Sequence, residues 1–212
     1  MRHLSFGPSG PLNILAIGAH ADDIEIGAGG TILRLLAERP GSRIDWVIGS
    51  ATPERGAEAR GSAAAFSGGA AGHDVTVADL PEGRFPSVAP AIKDLLESFK
   101  ARPFDLIIAP HRGDDHQDHR TLAEAVWQTF RDHLVIEYEI VKYDGDLGRP
   151  NAFVELDEAT CERKIGLIMD GFPSQATRRW WATETFRAIL QVRGVEAATR
   201  YAEGFHCRKL VF

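Results

Sequence analysis

Short apolar runs that alternate with stretches of helical spacing constrain this chain more than any other feature. Asn13–Gly18 reads as a first strand. A helix is predicted over Ala28–Arg39, with Ile32, Leu33, Leu35 and Leu36 apolar and Pro40-Gly41 as its stop. Arg43–Gly49 reads as a second strand, Glu54–Phe66 as a helix ended by Gly68-Gly69, and Asp74–Ala78 as a third strand. Ala89–Ala101 has Ile92, Leu95, Leu96 and Phe99 at helical spacing, Asp105–Ala109 reads as a fourth strand, and a helix is predicted from Asp118 to about Asp132. Leu134–Val141 reads as a fifth strand. Repeated βα alternation predicts an α/β fold, a mostly parallel sheet with helices on both faces. The strand order 3-2-1-4, common in such folds, sets the first strand beside the fourth.

Beyond Val141 the pattern changes to a C-terminal helical and β elaboration. Asp144–Pro150 reads as a loop, and Asp157–Asp170 as a helix with Asp157 as its N-cap. Gly171–Ser174 breaks that helix, Trp181–Arg193 is a further amphipathic helix, and Phe205–Phe212 ends the chain with an apolar triplet. A length of 212 residues suits one domain, 1–212.

With 24 Lys and Arg against 30 Asp and Glu the formal charge is −6, which gives no electrostatic case for nucleic acid or an anionic membrane. No apolar run approaches the roughly 20 residues of a membrane span, and the opening Met1–Pro8 lacks a signal-peptide core. Cys161 and Cys207 are far apart and read as two free thiols, so a reducing cytoplasm is the expected compartment.

Chemistry concentrates in two segments. Gly18-Ala19-His20-Ala21-Asp22-Asp23 directly follows the first strand, and His116-Gln117-Asp118-His119 follows the fourth. Open α/β sheets put their ligands past the carboxyl ends of the strands. His20, Asp23 and His119 suit Zn²⁺ or another divalent ion such as Fe²⁺, and three protein ligands leave positions open for water and substrate. Adjacent side chains point apart, so Asp22 is free of the ion and suited to take a proton from an attacking water. His116 faces the substrate in this reading, stabilising an oxyanion or protonating the leaving group, with Asp118 holding its imidazole in the charged form. The bland alternatives are a turn or helix cap for Asp-Asp and a polar helix start for His-x-x-His; the two motifs gain weight at the ends of strands that should be neighbours.

Other features carry less. Gly27-Ala28-Gly29-Gly30 fits neither a dinucleotide nor a Walker pattern and reads as tight packing at a helix start. Arg55 and Glu58 read as a substrate contact or an exposed ion pair. His111, just past the fourth strand, reads as a substrate contact or a loop cap. Arg112, Asp114 and Asp115 read as solvated loop residues, and His3, His73 and His133 as surface or core histidines. Arg178-Arg179 reads as a solvated face, and Trp180-Trp181 as core or a subunit contact, which makes a homo-oligomer an expectation.

At these residues the chain resembles the PIG-L/LmbE-like de-N-acetylase family. The likeness lies in Ala19–Gly27 and His116–His119, with further likeness in Glu54–Ala59 and Tyr201–His206. It implies a Rossmann-like fold, a mononuclear and usually zinc site, and hydrolysis of an N-acetyl group from an amino sugar or its conjugate, a small-molecule substrate. Carried over by position, His20, Asp23 and His119 become metal ligands and Asp22 the general base. His116 becomes the electrostatic or acid residue with Asp118 as partner, and Arg55 falls where members hold a substrate hydroxyl or charged group. The chain has Ala21 where many members have Pro and Ile24 where they have Glu, with Glu25 as the replacement carboxylate. The Asp-Asp-Ile-Glu-Ile-Gly form looks like the bacterial branch of bacillithiol-pathway and glycan-related deacetylases.

Three rivals fit parts of the pattern. Two His and one carboxylate also describe a non-haem Fe(II) oxygenase, whose ligands normally sit on a β-barrel. A non-catalytic sugar- or metal-binding module needs neither an adjacent base nor a His–Asp partner. A dinucleotide-binding dehydrogenase fails on the glycine pattern.

Overall fold

A computed structural model describes residues 10–210; Met1–Pro8 and His3 within it, and Val211-Phe212 at the other end, lie outside the described residues. The elements in chain order are β1 (Asn13–Gly18), α1 (Asp23–Glu38), β2 (Arg43–Ile48), α2 (Pro53–Phe66), β3 (Gly72–Val77), α3 (Ala89–Glu97) and β4 (Leu106–Pro110). There follow α4 (Gln117–Thr129), β5 (Val135–Tyr138), β6 (Ala152–Leu156), α5 (Glu158–Gly171), α6 (Thr183–Ala197) and β7 (Tyr201–Cys207). They build one seven-stranded sheet in the order β3-β2-β1-β4-β5-β7-β6. The first five of these are parallel, and β7 runs antiparallel between β5 and β6.

The central strands are buried on both faces, which is why β1 and β4 are apolar from Ile14 to Ile17 and from Leu106 to Ala109. Ile14, Ala16, Ile44, Trp46, Leu106 and Ile108 point into one core with residues of α1, α2, α5 and α6. Leu15, Ile17, Val47, Ile107 and Ala109 point into the other with residues of α3 and α4. In register, Ile14 and Ala16 of β1 pair with Leu106 and Ile108 of β4, so the loops leaving these two strands are neighbours. The α/β fold and the order of strands 3-2-1-4 expected from the sequence are those observed.

Several boundaries differ from the sequence reading, α1, β6 and β5 among them. α1 begins at Asp23, five residues before the expected Ala28. Its glycines disfavour a helix by propensity, yet contact demands them. A Cβ on Gly27 would lie 2.2 Å from the Tyr138 ring, one on Gly29 2.6 Å from Phe66, and one on Gly30 2.4 Å from Leu156. Tight packing is right, but it lies within the helix rather than at its start. The sequence reading has no strand at β6, an edge strand whose side chains are mostly only partly buried. β5 stops at Tyr138 because β7 pairs with only three of its residues.

The C-terminal elements are locked to α1 by a buried ion pair. Glu203 on β7 accepts from the backbone N–H groups of Gly30 (2.7 Å) and Thr31 (2.6 Å) and from the Thr31 hydroxyl (2.6 Å). Lys164 on α5 donates to Glu203 Oε1 and to the carbonyl of Ile26, both at 2.6 Å. Glu25, also on α1, is buried, and burial pushes its carboxyl up to about 8. At that value it is mostly a neutral acid at pH 7, whereas the sequence reading has it as a charged carboxylate.

Two outcomes follow for stability. Lys164→Met strands the Glu203 charge and should cost about 3–5 kcal/mol in denaturant unfolding, while the double variant Lys164→Met/Glu203→Leu should recover part of it. Glu25 keeps its proton in the folded chain where the unfolded chain has lost it, so stability falls as pH rises from about 4.5 towards about 8. Glu25→Gln should remove up to about 1.4 kcal/mol per pH unit of that slope in unfolding curves taken across the range.

A candidate metal centre at the carboxyl ends of β1 and β4

The loop after β1 presents His20, and α1 opens on Asp23 with Asp22 as its N-cap residue. The loop after β4 presents His116 as the N-cap of α4, whose first turn holds Asp118 and His119. Three ligand atoms converge. His119 Nε2 lies 3.2 Å from His20 Nδ1 and 3.3 Å from Asp23 Oδ2, and His20 Nδ1 lies 3.6 Å from that same oxygen. Donors bound at zinc distances on a tetrahedral ion stand about 3.3–3.4 Å apart. The triangle therefore has edge lengths close to those of one tetrahedral face, and its donor set is one that could hold Zn²⁺.

Each imidazole is backed through its other nitrogen by a carboxylate, the arrangement that fixes a ligating histidine's tautomer and direction. Asp114 Oδ2 lies 2.9 Å from His119 Nδ1, and Asp118 Oδ2 lies 3.2 Å from His20 Nε2. Asp118 is itself held by the N–H groups of Gly83 (2.6 Å) and Phe85 (3.0 Å). Two expectations are corrected here. The side chain of Asp118 serves His20, not His116. Asp114, read as solvated, is buried behind His119.

His116 Nδ1 accepts from the backbone N–H of Asp118 at 3.3 Å. This bond puts the ring proton on Nε2 in the neutral tautomer. Burial, reinforced by His119 and His20, pushes the His116 pKa below its ordinary value. His116 is thus a neutral donor, not the imidazolium expected from the sequence. Its ring stands edge-on to His20 at 5.0 Å between centroids and 4.8 Å from His119.

Burial alone would lower the pKa of both ligand histidines. The carboxylates override it: Asp23 and Asp118 lift His20 to about 10, and Asp23 and Asp114 lift His119 to about 9. Asp23 resists burial and is held well below the carboxylate range by the same two imidazoles. The cluster draws positive charge, as an ion-binding pocket must. Asp22 behaves oppositely: burial raises its carboxyl despite the Arg55 guanidinium beside it. Arg55 Nη2 comes to 2.8 Å of Asp22 Oδ1, while its Nε and Nη2 retain no aligned hydrogen-bond acceptor. The expected Arg55–Glu58 pair does not form, because Glu58 accepts from the N–H and hydroxyl of Ser174 at 2.8 and 2.6 Å.

His111 is not among the converging groups. Its ring stacks on His206 at 3.7 Å and its Nδ1 lies 3.0 Å from Glu137 Oε2, while its carbonyl accepts from the N–H of Asp114 in the turn that follows. Trp181 is buried, and Trp180 packs edge-on against Trp181 and Phe186. Trp181 belongs to the core, whereas Trp180 is half-buried and has the exposed Tyr143 edge-on to its ring. Cys161 is buried and Cys207 half-buried, both free. No helix among the described residues is long and apolar enough to cross a membrane.

Solved structures similar to this chain share its fold. The conserved protein TT1542 from Thermus thermophilus superposes with a TM-score of 0.74 at 23% identity, over 95% of this chain and 96% of that one. The N,N'-diacetylchitobiose deacetylase from Pyrococcus horikoshii gives 0.69 at 23% identity, over 92% and 83%. The 4-carboxy-2-hydroxymuconate hydratase GalB from Pseudomonas putida gives 0.68 at 17% identity, over 95% and 98%. At these identities the three show the fold alone. The family model for PIG-L, the GlcNAc-PI de-N-acetylase, matches residues 15–130, more than half of the chain and the stretch that holds both motifs. The chain belongs to the PIG-L family of de-N-acetylases.

Proposed function

We propose that this protein is a zinc-dependent hydrolase that removes the N-acetyl group from an N-acetylated amino sugar or its conjugate. The observation that carries the reading is the triangle of His20, Asp23 and His119 donors with a carboxylate outside it, Asp22, next in sequence. A bound divalent ion, Zn²⁺ or alternatively Fe²⁺, supplies polarisation of the acetamide carbonyl and makes the attacking water more acidic.

The chain's own residues do the rest. Asp22 takes a proton from the water as its oxygen bonds to the carbonyl carbon. Burial, which makes that carboxyl hold a proton more readily, suits it to the task, and Arg55 keeps it oriented. His116 donates Nε2–H to the oxygen that becomes negative. The C–N bond then breaks, and the proton held by Asp22 passes to the departing nitrogen, leaving acetate and a free amine. The unsatisfied donors of Arg55 suit a sugar hydroxyl or a charged group on the substrate. The α/β sheet separates this site from Fe(II) oxygenases, which share the ligand types on a different scaffold. GalB shows that a like fold hosts water addition as well, so acetate is the product to measure.

Metal-reconstituted protein should release acetate from N-acetylglucosamine, N,N'-diacetylchitobiose or a related conjugate without needing O₂. A loaded enzyme that releases none from an N-acetylated sugar panel would overturn the reading. Asp22→Asn and His116→Ala should each lower turnover by about 10²–10³ while binding one ion per chain as before; His119→Ala should lose the ion. Protons compete with the ion for His20 and His119, whose pKa values of about 10 and 9 keep them protonated at neutral pH. Ion affinity should therefore rise with pH from 6 to 9, and binding should release protons, measurable by calorimetry in buffers of different ionisation heat.

A further inference from the structure

We propose that Lys142 and Asp146, from the loop after β5, are positioning residues of the metal centre, a clasp that sets the direction of His119. The inference rests on the assignment of His20, Asp23 and His119 as ligands.

The clasp is continuous. His119 Nδ1 meets Asp114 Oδ2 at 2.9 Å, and Lys142 Nζ donates to that same oxygen at 3.0 Å. Lys142 Nζ also lies 2.6 Å from both carboxylate oxygens of Asp146. Asp146 Oδ2 in turn accepts from the N–H of Asp115 at 2.8 Å, and Asp114 Oδ1 accepts from the N–H of His116 at 2.7 Å. One ammonium thus bridges two carboxylates, and those carboxylates accept from the N–H groups of two consecutive residues, Asp115 and His116, just before α4. The side chains of Asp114, Asp146 and Lys142 are only 3%, 7% and 11% exposed. Solvent screening that makes most ion pairs weak is largely absent.

The geometry explains why a lysine is needed. The N–H of His116 holds only Oδ1 of Asp114; Oδ2, the oxygen that meets His119, has Lys142 as its second partner. Fixing Asp114 from the far side leaves His119 Nε2 one direction, towards His20 and Asp23. Without the ammonium, Asp114 and Asp146 face each other as like charges, and release of Asp146 also frees the N–H of Asp115. Partners that orient a ligating histidine typically change metal affinity by about 10–100-fold when removed.

The test uses the full chain stripped of metal, with Zn²⁺ affinity read by competition against a chromophoric chelator and geometry read from the visible absorption of the Co²⁺-loaded protein. Lys142→Met and Asp146→Asn should each weaken Zn²⁺ binding by about 10–100-fold and shift the Co²⁺ bands. Removal of an exposed charge at Lys100 should do neither. His119→Ala, as reference, should lose the ion. If both clasp variants bind within threefold of wild type with unchanged bands while His119→Ala fails to bind, the clasp is refuted and the ligand set stands. If His119→Ala binds as wild type does, the ligand set itself is wrong. Should Lys142→Met not fold, Asp146→Asn alone decides, since it keeps the lysine and the size of the side chain.

Discussion

The pairing of β1 with β4 at the middle of a parallel sheet is the constraint on which the rest of this structure depends. Parallel strands deliver the segments that follow them to the same edge. The register that sets Ile14 beside Leu106 and Ala16 beside Ile108 brings the loop carrying His20 to the loop carrying His116. Two segments almost a hundred residues apart in sequence then meet in one line of polar side chains, from Asp118 through His20 to His119 and Asp114. The apolar side chains on both faces of these strands hold that adjacency, so the precision of the polar site is inherited from the core.

The site separates its acids by environment. Asp23, Asp114 and Asp118 all sit against imidazoles and are held below the usual carboxylate range. Asp22, one residue from Asp23, is raised by burial although Arg55 stands beside it. Neighbouring carboxyls with opposite shifts suit different tasks, one to stay charged and the other to pick up and surrender a proton. The division arises because Asp23 begins α1 and turns towards both histidines, whereas Asp22 precedes the helix and turns to α2. The same split gives the family likeness physical content, because the matched stretch supplies both strands, both loops and the start of α2.

Much of this was legible in the residues alone. Continuous apolar runs gave away strands buried on two faces, and punctuation by proline and glycine gave most helix ends. His20, Asp23 and His119 were recoverable because strand order alone predicted that their loops meet. What was hidden depended on side-chain partners far along the chain. Asp114 looks like any polar loop residue until His119 and Lys142 close on it. Asp118 sits two residues from His116 and so appears to serve it, yet the helix start turns its carboxylate to His20 and gives His116 only its backbone N–H. The glycines of α1 spoke against a helix, and only the rings of Tyr138 and Phe66 explain why nothing larger can stand there. Lys142, Asp146 and Lys164 had no local signal, since an isolated lysine or aspartate in a sequence is indistinguishable from a solvated one.

The ion pair that joins Lys164 and Glu203 to α1 has a consequence for biosynthesis. A ribosome making this chain releases both ligand-bearing loops by about residue 119, but the helix that starts with Asp23 receives its last buried partner only when residue 203 emerges. Until then the backbone amides of Gly30 and Thr31, midway along α1, lack that carboxylate. A nascent or truncated polypeptide that stops short of residue 203 would carry His20, Asp23 and His119 yet lack this brace behind the helix that Asp23 begins.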